Sequence, residues 1–202
     1  PGVDQLLVWG LGLDTGVART IIGFTGCHAA INALRMARDA VHADPGAIVL
    51  VCCTELCSLH MHFSTRPDQL IANALFADGA AAAIVADSHM PMPRISATAS
   101  RLIPNTREFM GWIIGDHGFE MTLGAQVPEV LAREIAPWID SVLATTGLSR
   151  AQVSAWAVHP GGPKVIEAVA GSLGLSAEQV NASREILRRF GNMSSPTLLF
   201  IL

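Results

Sequence analysis

The sequence predicts an α/β fold in which helices cover buried strands. Short strand-like and longer helix-like segments alternate along the chain, which is the order expected of a layered α/β protein. Residues 47–53 form an apolar, β-branched-rich run without alternation, which is typical of a strand buried on both faces. Only 15% of the residues are charged, against roughly 25% in an average soluble protein. This low charged fraction indicates either a central layer that is buried on both sides or a large interface with a partner.

The first part of the chain carries the clearest turn signals. The helix beginning near His28 is stopped by Asp44-Pro45-Gly46, which together form a strong turn signal. A second helix begins at Pro67, because proline is favoured in the first helical turn. The predicted strands are residues 20–24, 47–53 and 79–86, and the predicted helices are residues 28–43 and 67–76.

Residues 88–94 are rich in breakers and mark the best internal boundary. We therefore divide the chain into residues 1–88 and 89–202. In the second part, Pro128 lies in the first turn of one predicted helix, and Gly174 and Gly191 end two others. The predicted strands are residues 95–100 and 153–158, and the predicted helices are residues 127–145, 163–173 and 183–190.

Composition argues against several classes of protein. The net charge of −4 argues against a nucleic-acid surface, and the basic cluster Arg184, Arg188 and Arg189 is interpreted as a solvated helix face. The apolar runs are far shorter than the ~20 residues of a membrane span. The four cysteines form no CxxC pair, so we expect reduced thiols and no metal site. His60 and His62 are two residues apart, but a third ligand is lacking nearby in the sequence.

Three polar residues in glycine-punctuated segments could form one active site. Cys27 lies between a predicted strand and a predicted helix, where helix amides lower a thiol pKa. His159 follows a predicted strand, and Asn192 follows a helix-ending glycine. A thiolate could accept an acyl group while a His and an Asn stabilise an oxyanion. Without further information, the favoured readings of these residues are a buried thiol, a core histidine and a helix-capping asparagine.

Four segments carry a family resemblance. HPGGP at residues 159–163 and GNMSSPTLLFIL at 191–202 resemble the His and Asn motifs of the type III polyketide synthases, the chalcone-synthase-like enzymes. Residues 26–40 resemble the Cys segment of the bacterial branch, and residues 73–85 resemble the segment with the gatekeeper phenylalanine. The resemblance implies a thiolase-like fold layered αβαβα. It also implies that the chain is incomplete at both ends, because family members are nearly twice as long. Residues 198–202 would then lie inside a buried strand.

The resemblance also implies an activity and its residues. Cys27 would accept an acyl group from acyl-CoA, and His159 and Asn192 would stabilise the enolate formed when malonyl-CoA loses carbon dioxide. In this reading His159 also favours the Cys27 thiolate as its ion-pair partner. The product would be a polyketide of pyrone or resorcinol (phenol) type, made without a cofactor by a cytoplasmic homodimer. Phe76 matches the gatekeeper. The matched positions in the cavity are Cys57, His60, Trp112, Met121 and Ser194. Lys164 matches the mouth of the CoA tunnel more weakly, and the alternative is a solvated lysine on the surface.

The sequence also leaves three other interpretations of the function open. A ketoacyl-ACP synthase III shares Cys, His and Asn, but it usually has an Asn close behind its His, where this chain has HPGGP. A papain-like hydrolase has a comparable Cys-to-His spacing, yet Cys27 lacks that class's surrounding signature. An inactive, truncated copy that only dimerises is the non-enzymatic reading. Malonyl-CoA decarboxylation would separate the condensing enzymes from a hydrolase.

Overall fold

A computed structural model of the chain describes residues 2–89, 91–116 and 118–202. It is an α/β structure in which short strand pairs are combined with longer helices. The helices are α1 (Val3–Leu11), α2 (Ala29–Ala43), α3 (Pro67–Leu75), α4 (Val127–Thr145), α5 (Pro163–Leu173), α6 (Asn181–Phe190) and α7 (Pro196–Ile201). The strands are β1 (Ile48–Glu55), β2 (Gly79–Ala86), β3 (Met110–Gly115) and β4 (Gly118–Leu123).

Strands β1 and β2 form an antiparallel pair that positions the site described below. Their register places Ile48 opposite Ala86 at one end and Glu55 opposite Gly79 at the other. Helix α2 packs on this pair, and α7 packs mainly on β2. A small core forms between these elements from Ala30, Ala37, Val51, Cys53 and Leu198.

Burial of β1 and β2 differs from the sequence prediction. Both strands alternate between a covered and an exposed face, with Ile48 75% and Ile84 72% exposed. The expectation of burial on both faces is therefore wrong for the described residues. The helices α2 and α7 cover one face of the pair, and successive side chains of a strand point to opposite faces.

Strands β3 and β4 form a hairpin that the sequence analysis did not predict. Residues of the two strands face one another from Met110 and Leu123 to Gly115 and Gly118. Helix α3 packs on β4. The hairpin brings Trp112 opposite Met121, so two residues of the predicted cavity lie side by side.

The helices of the second part pack on one another. Helix α5 packs on α4 and on α6, around a core that contains Ile166, Val169, Leu173 and Val180. Predicted helices 127–145 and 163–173 coincide with α4 and α5. Each begins with a proline in its first turn, and α5 ends at Gly174 in the left-handed conformation.

Several predicted strands do not form. Residues 20–24, 95–100 and 153–158 pair with no strand in the described ranges. The apolar run 198–202 was expected inside a strand, but residues 196–201 form α7. Pro196 at the start of α7 supplies a φ suited to a helix, and short apolar runs do not by themselves distinguish strand from helix.

None of the helices in the described part of the chain is both long enough and apolar enough to cross a membrane.

Candidate active site

Several of the candidate residues lie at one end of the β1–β2 pair. This end is marked by Glu55, the last residue of β1, and Gly79, the first residue of β2. A short 3-10 turn, Cys57–His60, follows β1 closely, and Phe76 precedes β2. Cys27 lies in another 3-10 turn, Gly26–His28, immediately before α2, which packs on β1. Residues from four separate segments are therefore collected around one sheet end.

Backbone hydrogen bonds hold the Asn192 segment against the end of α3. The Asn192 N–H donates to the Leu75 carbonyl at 2.8 Å, and the Ala77 N–H donates to the Asn192 carbonyl at 3.0 Å. These bonds form a parallel bridge between Asn192 and Phe76. The predicted gatekeeper and the predicted oxyanion donor are therefore neighbours.

The side chain of Asn192 has a fixed orientation. It is 1% exposed, and its Oδ1 accepts a hydrogen bond from the Ser194 N–H at 2.9 Å. The amide Nδ2 is consequently the end that is free to donate. The polar side chains of Ser194 and Asn192 both lower the pKa of the Cys27 thiol, so they lie close to it.

Cys27 is half-buried, and its electrostatic surroundings differ from the prediction. Its position before α2 was expected to lower the thiol pKa. Instead burial raises the pKa of Cys27 above its ordinary value of 9.0, and the nearby Glu55 carboxylate raises it further. Hydrogen bonds from Ser194 and Asn192 lower it by less. Desolvation disfavours the thiolate, so the side chain is a neutral thiol at neutral pH.

His159 ends the extended segment that begins at residue 153 and is followed by the turn at residues 160–162. Both ring nitrogens are enclosed, and neither makes a hydrogen bond within the described residues. Burial lowers the pKa of His159 from 6.5 to about 4. The imidazole is therefore neutral at pH 7 and has one donor and one acceptor to offer. The expected ion pair with Cys27 is not formed in this structure.

Glu55 organises the residues that follow Asn192. The Ser195 hydroxyl donates to Glu55 Oε1 at 2.7 Å, and the Ser194 hydroxyl donates to the same oxygen at 3.3 Å. The Glu55 carboxylate is therefore an acceptor shared by two adjacent serines. Ser195 was not predicted to be a site residue. The sequence feature that could have indicated it is the pair of adjacent serines, Ser194 and Ser195, that follows Asn192 and Met193.

One other cavity candidate, Cys57, lies near this cluster. Burial raises the pKa of the Cys57 thiol to about 11, with smaller contributions from Glu55, Asp78 and Cys27. The 3-10 turn that contains Cys57 is held by Asp78, whose carboxylate accepts from both the backbone N–H and the hydroxyl of Ser58 at 2.7 Å. Cys57 is consequently a protonated thiol close to the candidate nucleophile.

His60, Trp112 and Met121 lie on the side of the β3–β4 hairpin. The His60 ring centroid is 5.1 Å from that of Trp112 and 5.7 Å from that of Phe119. Met121 is buried, whereas Trp112 is 48% exposed. Phe119 was missed in the sequence analysis, because nothing in its local sequence distinguishes it from an ordinary strand aromatic.

Lys164 is exposed in the first turn of α5, a few residues after His159. Its predicted place at the mouth of a tunnel stays a prediction. Within the described ranges, no group of three or more His, Cys, Asp and Glu side chains is arranged to hold a metal ion.

The chain matches two family models almost from end to end. The model of the N-terminal domain of chalcone and stilbene synthases matches residues 1–89, and that of the C-terminal domain matches residues 94–202. Among curated proteins, "alpha-pyrone synthesis polyketide synthase-like Pks18" of Mycobacterium tuberculosis is 36% identical over 208 residues, which cover 100% of this chain and 53% of that protein. The 3,5-dihydroxyphenylacetyl-CoA synthase of Amycolatopsis balhimycina is 35% identical over 204 residues, 99% of this chain and 55% of that protein. The chain spans about half the length of these relatives.

Solved structures give the same picture of the fold. PKS-I from the brown alga Ectocarpus siliculosus is 39% identical with a TM-score of 0.94, and the match covers 100% of this chain and 54% of the other. The 1,3,6,8-tetrahydroxynaphthalene synthase of Streptomyces coelicolor, a bacterial type III polyketide synthase, is 28% identical with a TM-score of 0.94, covering 100% and 58%. The predicted thiolase-like α/β fold is thus confirmed.

Proposed function

Because this chain belongs to the chalcone and stilbene synthase family, we propose that the protein is an acyltransferase that builds a polyketide from an acyl-CoA and malonyl-CoA. Relatives named for α-pyrone synthesis and for a dihydroxyphenylacetyl-CoA support a product of pyrone or resorcinol (phenol) type. Cys27, His159 and Asn192 carry the reaction.

The proposed reaction has two stages. In the first, the Cys27 sulfur attacks the acyl-CoA carbonyl, a new thioester forms, and CoA leaves as its thiol with the proton that Cys27 gives up. In the second, malonyl-CoA loses carbon dioxide, and the electrons of the broken carbon–carbon bond form an enolate. The enolate carbon attacks the acyl carbonyl on Cys27, and the Cys27 thiolate leaves.

One observation carries this proposal: the buried amide of Asn192 has a fixed orientation and lies close enough to the Cys27 thiol to lower its pKa. Because Oδ1 is occupied by the Ser194 N–H, Nδ2 is available to a thioester oxygen close to the nucleophile. An amide donates without titrating, and an enclosed donor stabilises a developing oxyanion strongly. The neutral His159 ring adds a second donor, and its unprotonated nitrogen is a possible acceptor for the thiol proton.

The remaining assignments belong to the same proposal. Phe76 separates the CoA tunnel from the acyl cavity, which is supported by its bridge to Asn192. Cys57, His60, Trp112, Met121 and Ser194 line the cavity. Lys164 contacts CoA at the tunnel mouth.

The setting of the site is also proposed. Residues 1–88 and 89–202 belong to two thiolase-like halves, and the ranges of the two family models support this division. We propose a homodimer that needs no cofactor and works in the cytoplasm. The four free cysteines of the structure are compatible with a reducing compartment.

Covalent loading tests the role of Cys27. The full-length protein is incubated with an acyl-CoA and analysed by intact-protein mass spectrometry. We expect an acyl adduct on the wild type and none on Cys27→Ala. Cys52→Ala is the matched control, because Cys52 is an exposed thiol on the outer face of β1, and it should load like the wild type. A full-level adduct on Cys27→Ala would exclude Cys27 as the nucleophile.

A further inference from the structure

A buried serine on α6 contacts the backbone next to His159. Ser183 is 0% exposed, and its Oγ accepts a hydrogen bond from the Val158 N–H at 3.0 Å. Val158 directly precedes His159. The mechanism above does not use Ser183, and the sequence analysis did not single it out.

This hydrogen bond replaces one that a sheet would have supplied. Residues 153–158 form neither helix nor strand and pair with no strand in the described part of the chain. Val158 is itself buried, so its N–H is shielded from water and needs a protein partner. The Ser183 hydroxyl is that partner. Removing the hydroxyl would leave a buried donor unsatisfied.

Helix α6 connects this contact to Asn192. Ser183 lies in the first turn of α6, and the helix ends at Phe190, directly before the Gly191–Asn192 segment. Ten residues of helix form a rigid element roughly 15 Å long. Val180, fully buried just before α6, packs in one core cluster with Val158, which anchors this end of the helix. The same rigid element therefore sets the backbone beside His159 at one end and the Asn192 segment at the other.

We propose that Ser183 is a positioning residue that fixes His159 relative to Asn192. The proposal rests on the proposed function, in which both side chains serve one enolate. Misplacement of a reacting group by about 1 Å can reduce a rate on the order of 10²-fold. Because the Ser183 hydroxyl is bonded to the backbone beside His159, its loss can shift the imidazole by such a distance.

The test compares three variants of the full-length protein. Ser183→Ala removes the hydroxyl, and Ser183→Thr keeps it. Ser172→Ala is the matched control, because the Ser172 hydroxyl donates to the Ala132 carbonyl at 2.7 Å and joins α5 to α4 without contacting the His159 segment. Malonyl-CoA decarboxylation is measured as kcat and KM, and thermal unfolding confirms that each variant is folded.

We expect kcat to fall roughly 10- to 100-fold in Ser183→Ala, with KM changed by less than about threefold. Ser183→Thr should recover most of the rate, and Ser172→Ala should retain wild-type kcat. A folded Ser183→Ala protein with kcat within threefold of the wild type would overturn the proposal. An equal loss in Ser172→Ala would also overturn it, because the effect would then be general destabilisation.

A second measurement does not depend on activity. Hydrogen exchange of the peptide containing Val158 should be faster in Ser183→Ala than in the wild type and in Ser172→Ala, since the amide loses its acceptor. If the wild type does not decarboxylate malonyl-CoA, the proposed function fails, and this measurement still decides whether Ser183 holds the segment. Unchanged exchange in Ser183→Ala would refute the positioning role.

Discussion

The buried imidazole of His159 should make the protein less stable in acid by a predictable amount. Burial lowers the pKa of His159 from 6.5 to about 4 in the folded state. In the unfolded chain the ring is in water and titrates at the ordinary value. Between pH 6.5 and pH 4, the unfolded state therefore binds a proton at this site that the folded state does not.

The sign and size of the effect follow from this difference. Stability rises with pH wherever the unfolded state binds more protons. The contribution of His159 is thus fully present above pH 6.5 and is lost as the pH falls towards 4. One pKa unit corresponds to about 1.4 kcal/mol, so the total loss is on the order of 3 kcal/mol. Below pH 4 the ring is protonated in both states, and the loss stops.

The assay measures the free energy of unfolding by urea at a series of pH values from 4 to 7.5. His159→Gln has no titrating ring, so the decrease from pH 7 to pH 4 should be smaller than in the wild type by about 3 kcal/mol. His42→Gln replaces an exposed histidine at the end of α2 and should follow the wild-type curve. An NMR titration of the His159 ring gives the pKa directly.

Two results would refute the reasoning. One is parallel pH curves for the wild type and His159→Gln. The other is a His159 ring that titrates near 6.5, because such a ring would be solvated in the folded protein rather than enclosed. In either case the neutral imidazole assumed in the proposed mechanism would lose its support.

Two further substitutions probe the packing and the charge around Asn192. In Gly79→Ala, the added Cβ would lie 2.6–2.8 Å from three atoms of the buried Met193 side chain, so overpacking should reduce stability by about 1–3 kcal/mol, measured by thermal unfolding. Gly171→Ala, in the interior of α5 with no heavy atom within 4 Å of its added Cβ, should instead stabilise by up to about 1 kcal/mol; equal Tm values for the two variants would contradict this account. Asn192→Asp replaces the amide donor by a carboxylate that repels an enolate, and malonyl-CoA decarboxylation by the full-length protein should fall on the order of 10²–10³-fold. Near-wild-type decarboxylation would remove Asn192 from the site.

The helices that were predicted correctly have their start signals within their own sequences. Helices α4 and α5 match their predicted bounds because each has a proline in its first turn, and α3 begins at its predicted proline. These signals act within one or two turns of the chain, so the sequence contains them completely. The bounds of β2 were also predicted correctly, because turn-forming residues flank a uniform apolar run.

The predictions of strands at residues 20–24, 95–100 and 153–158 were wrong because strand formation depends on residues outside the segment. Extended backbone becomes a strand only when another strand pairs with it, and a segment's own residues do not state whether a partner is present. For Val158, the partner turned out to be the hydroxyl of Ser183. The hairpin of β3 and β4 was missed because its residues lack a clear alternation of polar and apolar side chains.

The pKa of Cys27 shows a similar limit. The sequence places Cys27 before a helix, and the helix amides alone would lower the thiol pKa. The dominant effect is burial, and the carboxylate of Glu55, which is close in space but distant in the sequence, raises the pKa further. A motif identifies the residue, but the environment that sets its charge is assembled from distant segments.

The segment from Gly191 to Ser195 shows why these residue types occur together. Gly191 has a φ of +73°, a conformation that residues with a side chain rarely adopt. An added Cβ would also lie 3.0 Å from the carbonyl oxygen of Leu75, the last residue of α3. Asn192 accepts a hydrogen bond from the Ser194 N–H with its amide oxygen, which leaves its nitrogen available near the Cys27 thiol. Met193 fills the space left by the glycine that begins β2. Ser194 and Ser195 both donate to the carboxylate that ends β1. Each residue fixes a different contact, and together they hold the Asn192 amide close to the nucleophile. Substitution of Gly191 or of Met193 should therefore affect catalysis through the position of Asn192.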